Sequence, residues 1–232
     1  MNLLLTSSTT QTNLPIMNFI RTAKIFIIVG SVFAFLKTYG MEFEAPSWAN
    51  SSSAEYSAWE TFSIGFGEPG NTPDVAGSNG GGTITQATPG GSVTGSGNIY
   101  NPGGASKFTL SNGANRDYQT VLLQVKSIGS LATDTVTLTH ESNGQPVEIM
   151  ADMSREVARE SGGFGDTIIH LWSWDLSELS VSNIQIDFGA QGPHLSLDAV
   201  RFDALLEEAA TPLTFEAPSW ANSSSAEYSA WE

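Results

Sequence analysis

The chain has 232 residues, 40% of them apolar, no cysteine, and 24 acidic against nine basic residues for a net charge of −15. That apolar content excludes a disordered acidic tail, and the missing cysteine excludes disulfide staples, Cys-ligated zinc and thiol catalysis. All the acidic residues follow Gly40 whereas Arg21, Lys24 and Lys37 precede it, so the negative remainder disfavours nucleic acid and anionic membranes as partners.

Residues 1–40 read as an export signal. Arg21 and Lys24 precede Ile25–Leu36, an unbroken run of twelve apolar or small residues. As a helix that run rises about 18 Å, too short for a bilayer core of about 30 Å. Cleavage after Ala34 or Gly40 leaves no stable membrane span, and Met17 is an alternative start. The next stretch, FEAPSWANSSSAEYSAWE (Phe43–Glu60), returns without one change at Phe215–Glu232, 172 residues later. Phe43 and Glu44 are expected to open a first strand lying near the closing strand Leu195–Asp203. Residues 65–104 hold 13 of the 23 glycines. Alternation within TITQAT and SVTGSGNIY makes this region long surface loops inside the domain, with two short strands.

Period-two alternation then marks strands with one buried and one wet face at Gln119–Ile128, Asp134–Glu141 and Asn183–Phe188. Their inward residues, Val121, Leu123, Val136, Leu138, Ile184, Ile186 and Phe188, are the expected core. SNGAN, ESNGQP and FGAQGP supply turn chemistry between them. Only Ala151–Ser161 suggests a helical turn or two. Trp172 and Trp174 share a strand face with Ile168, His170 and Leu176, which points to core packing. Residues 206–214 read as a linker. The predicted organisation is a signal peptide (1–40), an all-β sandwich of two antiparallel sheets (41–205), the linker, and the opening of a second repeat (215–232). A terminal copy donated to a neighbour, or competing with the first copy for one sheet edge, is the alternative.

The segment His170–Asp203 (HLWSWDLSELSVSNIQIDFGAQGPHLSLDAVRFD), with GSGNIYNPGGASKFTL (Gly95–Leu110), resembles secreted bacterial domains found in PEP-CTERM sorted surface proteins. The resemblance covers most of Phe43–Asp203 and implies a jelly-roll, galactose-binding-like sandwich. In such modules the first and last strands are neighbours, and an acid from each helps hold a structural calcium ion. Glu44 and Asp198 are the matching metal-site residues here.

Catalytic motifs are absent: there is no GxSxG, HExxH or P-loop, and His140, His170 and His194 lack ligand spacing. The chain is therefore read as non-enzymatic. Tyr100, flanked by Asn98 and Asn101 in a Gly-rich loop, is the candidate for stacking against a sugar ring. The expected function is a secreted surface or extracellular-matrix module whose partners are a glycan or other surface proteins. The alternatives are a structural repeat spacer and an accessory domain of a carbohydrate-active enzyme. An exposed aromatic cluster in a groove favours glycan binding; a polar surface without one favours the spacer.

Overall fold

Alternating sequences fold here into strands alone. The structure, a computed structural model, describes residues 41–209, and every regular element among them is a strand. The expected signal helix and the second copy of the repeat lie outside the described residues. Eight strands form a large sheet. Its main order is β10 (Met153–Gly162), β11 (Gly165–Asp175), β7 (Tyr118–Ile128), β13 (Leu195–Leu206), β1 (Ala54–Trp59) and β2 (Val75–Ala76). A short ribbon, β4 (Ser92–Val93) on β5 (Ile99–Asn101), joins the same edge of β13 as β1 does. β5 pairs with Leu195–Leu197, β1 pairs with Val200–Leu205, and a bulge at Asp198 separates the two stretches. The small sheet runs β3 (Thr83–Gln86), β6 (Ser106–Gly113), β12 (Asn183–Ala190), β8 (Thr137–Ser142), β9 (Gln145–Met150). All ladders between these strands are antiparallel.

The two sheets bury one core between them. All seven residues expected inside are buried, and they join Phe108, Leu110, Trp59, Trp172, Trp174 and Phe202 in one cluster. An indole buried with an unmet N–H would be costly. Each of the three core tryptophans avoids this by donating to a carbonyl: Trp59 to Asn71 (2.8 Å), Trp172 to Thr133 (3.0 Å) and Trp174 to Ile149 (3.1 Å). Each bond ties a strand to a loop or to the facing sheet.

Turn chemistry is equally local. Asn143 and Gly144 both take positive φ (55° and 73°) and join β8 to β9 as a two-residue hairpin turn. At Gly189 the constraint is a close approach, since a Cβ there would sit 2.0 Å from the Ser106 carbonyl oxygen. Pro146 is tolerated because β9 is an edge strand, where no ladder hydrogen bond is needed from its nitrogen.

Three expectations change. Ala151–Ser161 is not helical: Met153–Gly162 forms β10, paired along its length with β11. A bulge between Glu156 and Ala158 breaks the two-residue period, so the sequence shows no clean alternation. Its charged residues suit an edge strand. Phe43 and Glu44 do not open a strand, and β1 begins at Ala54. Its pairing with β13 keeps first and last strands adjacent as expected. Finally, β13 extends through buried Leu206, and Glu207 N–H donates to the Asp117 carbonyl (2.7 Å), so the sandwich takes in the start of the expected linker.

Ahead of β1 the chain lies against the outer face of the large sheet. Gln124 is fully buried on that face, and its side chain mimics a strand's pairing groups. It accepts from Glu44 N–H (2.9 Å) and donates to the Glu44 carbonyl (2.7 Å). A turn then follows, with Ser51 N–H bonded to the Trp48 carbonyl (2.9 Å). The Ser53 carbonyl accepts from Leu206 N–H (2.9 Å), which delivers the chain into β1. The first copy of the repeated sequence is thus a strap followed by a strand.

Candidate functional site

β5 and the residue before it bring Tyr100 and Asn98 to one side, and β5 turns Asn101 to the other. Asn101 is 1% exposed and structural: it donates to the Ala105 carbonyl (3.1 Å) and accepts from Gly103 N–H (3.1 Å). Tyr100 lies opposite Ser196 of β13, and its hydroxyl hydrogen-bonds His194 Nδ1 at 2.8 Å. Asn98 Nδ2 donates to Ser196 Oγ (3.4 Å). Asp198 follows two residues along the same face. Asn98, Tyr100 and Asp198 therefore share one surface, with His194 added by a positive-φ turn (69°) that sequence reasoning did not select.

The two expected metal ligands also reach the outer face of the large sheet, over neighbouring residues of β7. Glu44 rests on Gln124, and Asp198 pairs with Lys126 at 2.5 Å. Each carboxylate already has a cation, because Glu44 forms an ion pair with Arg155. A calcium ion needs six to eight oxygen ligands. Among the described residues no three His, Cys, Asp or Glu side chains gather to hold an ion. In this arrangement Glu44 and Asp198 each link two segments of chain through an ion pair.

Two further polar sites were not singled out in the sequence. The first is a depression of about 910 Å³ at one end of the small sheet. Its floor includes Ser111, Thr139, Asn183 and Gln185, with the Asn79–Gly82 loop as one wall. The alternation of β12 carries the signal, since Ile184 and Ile186 inward force Asn183 and Gln185 outward. Most of these groups are neutral donors and acceptors, Glu141 adds a carboxylate, and His140 is the one aromatic ring among the lining residues.

The second is a cluster on the β10–β11 hairpin beside a recess of about 510 Å³. Ser154 Oγ lies 2.8 Å from His170 Nε2. Nearby, Arg159 donates to both oxygens of Glu156 (3.0 and 2.6 Å) and to Asp166 (2.6 Å). Burial lowers the His170 pKa, against an opposing pull from Glu156, so the imidazole is neutral at pH 7. The guanidinium of Arg159 holds both carboxyls below their usual range. A serine beside a neutral imidazole has the parts of a nucleophile and its base. The nearby carboxylates, however, are engaged by Arg159.

Inside the sandwich sits one more carboxyl. Glu55 of β1 is 1% exposed and accepts from Asn112 Nδ2, which also donates to the Tyr118 hydroxyl (3.1 Å). Its Oε2 has no partner among the described residues. Burial raises the Glu55 pKa above its ordinary 4.5, only partly offset by Asn112. A raised pKa means that the folded chain holds this proton more tightly than the unfolded chain does. The resulting stability is complete below pH 4.5 and is lost as pH rises through the folded-state value. Asp203, also raised by burial, acts in the same direction. Glu55→Gln should therefore flatten the decline in urea midpoint between pH 4 and pH 7.5, leaving the part due to Asp203. An unaltered slope would remove Glu55 as its source.

Comparison with known proteins finds no matching family model and no matching curated sequence for this chain.

Proposed function

We propose that the protein is a non-catalytic, exported module of the cell surface or extracellular matrix whose role is structural. What carries the reading is the disposition of its aromatic residues. Trp59, Trp172, Trp174 and Tyr118 are all buried, and Arg201 covers the ring of Tyr56 at 4.6 Å. Sugar-binding platforms need flat aromatic faces open to solvent, and here most of that surface stabilises the sandwich instead. The acidic chain and the export-like N-terminus support the same assignment, as does the resemblance to secreted surface domains.

A second reading, neutral-glycan binding, is favoured by the depression over Asn183 and Gln185. Its hydroxyl and amide side chains, with the Glu141 carboxylate among the lining residues, offer donors and acceptors that suit sugar hydroxyls. Affinity electrophoresis through a panel of soluble polysaccharides separates the two. A structural module migrates unretarded in every gel. Retardation removed by the paired change Asn183→Ala and Gln185→Ala would transfer the function to the groove. Hydrolysis of a chromogenic ester or glycoside that disappears in Ser154→Ala would overturn the non-catalytic assignment altogether.

A further inference from the structure

The strap and β1 together span Phe43–Glu60, the stretch that recurs at Phe215–Glu232. Every group by which the first copy engages the sandwich has an identical counterpart 172 residues later. Glu44 corresponds to Glu216, Ser53 to Ser225, Glu55 to Glu227 and Trp59 to Trp231. The receiving site belongs wholly to the rest of the fold. It consists of the β13 edge at Val200–Leu205, the facing β2 edge, the Gln124 amide, and the pocket where Trp59 meets the Asn71 carbonyl.

We propose that this cleft is a binding site for the sequence FEAPSWANSSSAEYSAWE as such, and that Phe215–Glu232 of the same chain occupies it in exchange with Phe43–Glu60. Reach permits the exchange. β13 ends at Leu206, opposite Tyr118 of β7, and the strap begins over Gln124, six residues further along β7. At about 3.3 Å per residue that distance is about 20 Å. Residues 207–214, eight in number, extend to about 30 Å between Leu206 and Phe215. A tether of this length gives an effective concentration in the millimolar range, without a second molecule. Direction is also satisfied, because a chain returning from β13 to the start of the strap re-enters the β1 position antiparallel to β13, as the first copy does. The exchange is independent of whether the small-sheet groove binds a glycan.

Two measurements on the full chain test it. The first compares Trp59→Ala, Trp231→Ala and the double variant by chemical denaturation. With two equivalent occupants, disabling one removes about half of the folded statistical weight. Each single change should then alter the folding equilibrium by less than about tenfold, allowing for tether closure, whereas the double change loses more than about a hundredfold. Trp59→Ala as damaging as the double variant would overturn the proposal.

The second measurement does not depend on destabilising the fold. Ala54 and Leu205 are direct partners in the β1–β13 ladder, and Ala226 is the counterpart of Ala54. Such opposed positions lie within disulfide range, and the chain has no cysteine of its own. Leu205→Cys with Ala226→Cys should form an intramolecular bridge on mild oxidation, with Leu205→Cys and Ala54→Cys as the positive control. No bridge in a chain whose control bridges, or a bridge found only in dimers, would overturn exchange within one chain.

Discussion

Phe188→Ala should lower stability by about 3–5 kcal/mol, the range for emptying a well-packed aromatic site. Phe188 is 3% exposed and stands directly opposite Phe108 in the β12–β6 ladder. The two rings stack with centroids 5.4 Å apart and planes 24° from parallel. Truncation therefore removes both the buried area and an aromatic pair worth about 0.5–1.5 kcal/mol beyond it. The measurement is the urea midpoint and slope of the folded domain. A loss under about 1 kcal/mol would mean that the site closes over the gap, and that Phe188 is not where the two sheets are pinned.

That residue was legible in the sequence for a simple reason. NIQIDF alternates strictly, and a strand with one wet face must bury every second side chain. Val121, Leu123 and Leu138 follow the same rule, and the Asn143–Gly144 turn is legible from its Asn-Gly pair, which takes the positive φ that a two-residue hairpin turn needs. Elsewhere local pattern and pairing part company. β10 looked helical because its bulge shifts the register and because an edge strand can carry charges on both faces. The opening segment looked like a strand beginning at Phe43. What holds Glu44 is a glutamine 80 residues away, a contact with no local signature. The candidate site fared similarly. Asn98 and Tyr100 do come together, since Asn98 just ahead of β5 bonds Ser196, the ladder partner of Tyr100. Asn101 was an error of parity: it points inward with Ile99. Glu44 and Asp198 were brought to the same sheet face by topology, yet the cations that neutralise them, Arg155 and Lys126, come from other strands. Spacing in a single sequence carries no record of such partners.

The largest electrostatic effect is expected at Arg201. Its guanidinium grips Asp203 with two bonds, Nε to Oδ2 at 2.6 Å and Nη2 to Oδ1 at 2.7 Å, and covers the Tyr56 ring. Asp203 is 1% exposed, and its burial raises the carboxyl pKa while Arg201 pulls it back. A buried pair of this kind adds little over a well-packed apolar substitute, because desolvation offsets the attraction. Losing one member is another matter. Arg201→Met keeps most of the side-chain volume but strands the carboxylate, so it should cost about 3–5 kcal/mol at pH 7. The loss should depend on pH with a definite sign. Without Arg201 the folded-state pKa of Asp203 rises further. The variant then regains stability relative to the parent as pH falls towards the unfolded value near 4, where the carboxyl is neutral in the fold. Combining Arg201→Met with Asp203→Leu removes the stranded charge and should restore most of the loss at neutral pH. Guanidinium would mask these effects by screening, so urea melts at pH 4.5 and pH 7.5 are the appropriate measurement. A cost below 1 kcal/mol at both values would place the pair with ordinary solvated ion pairs. The outer face beneath the strap would then be wetter than the burial of Gln124 and Asp203 indicates.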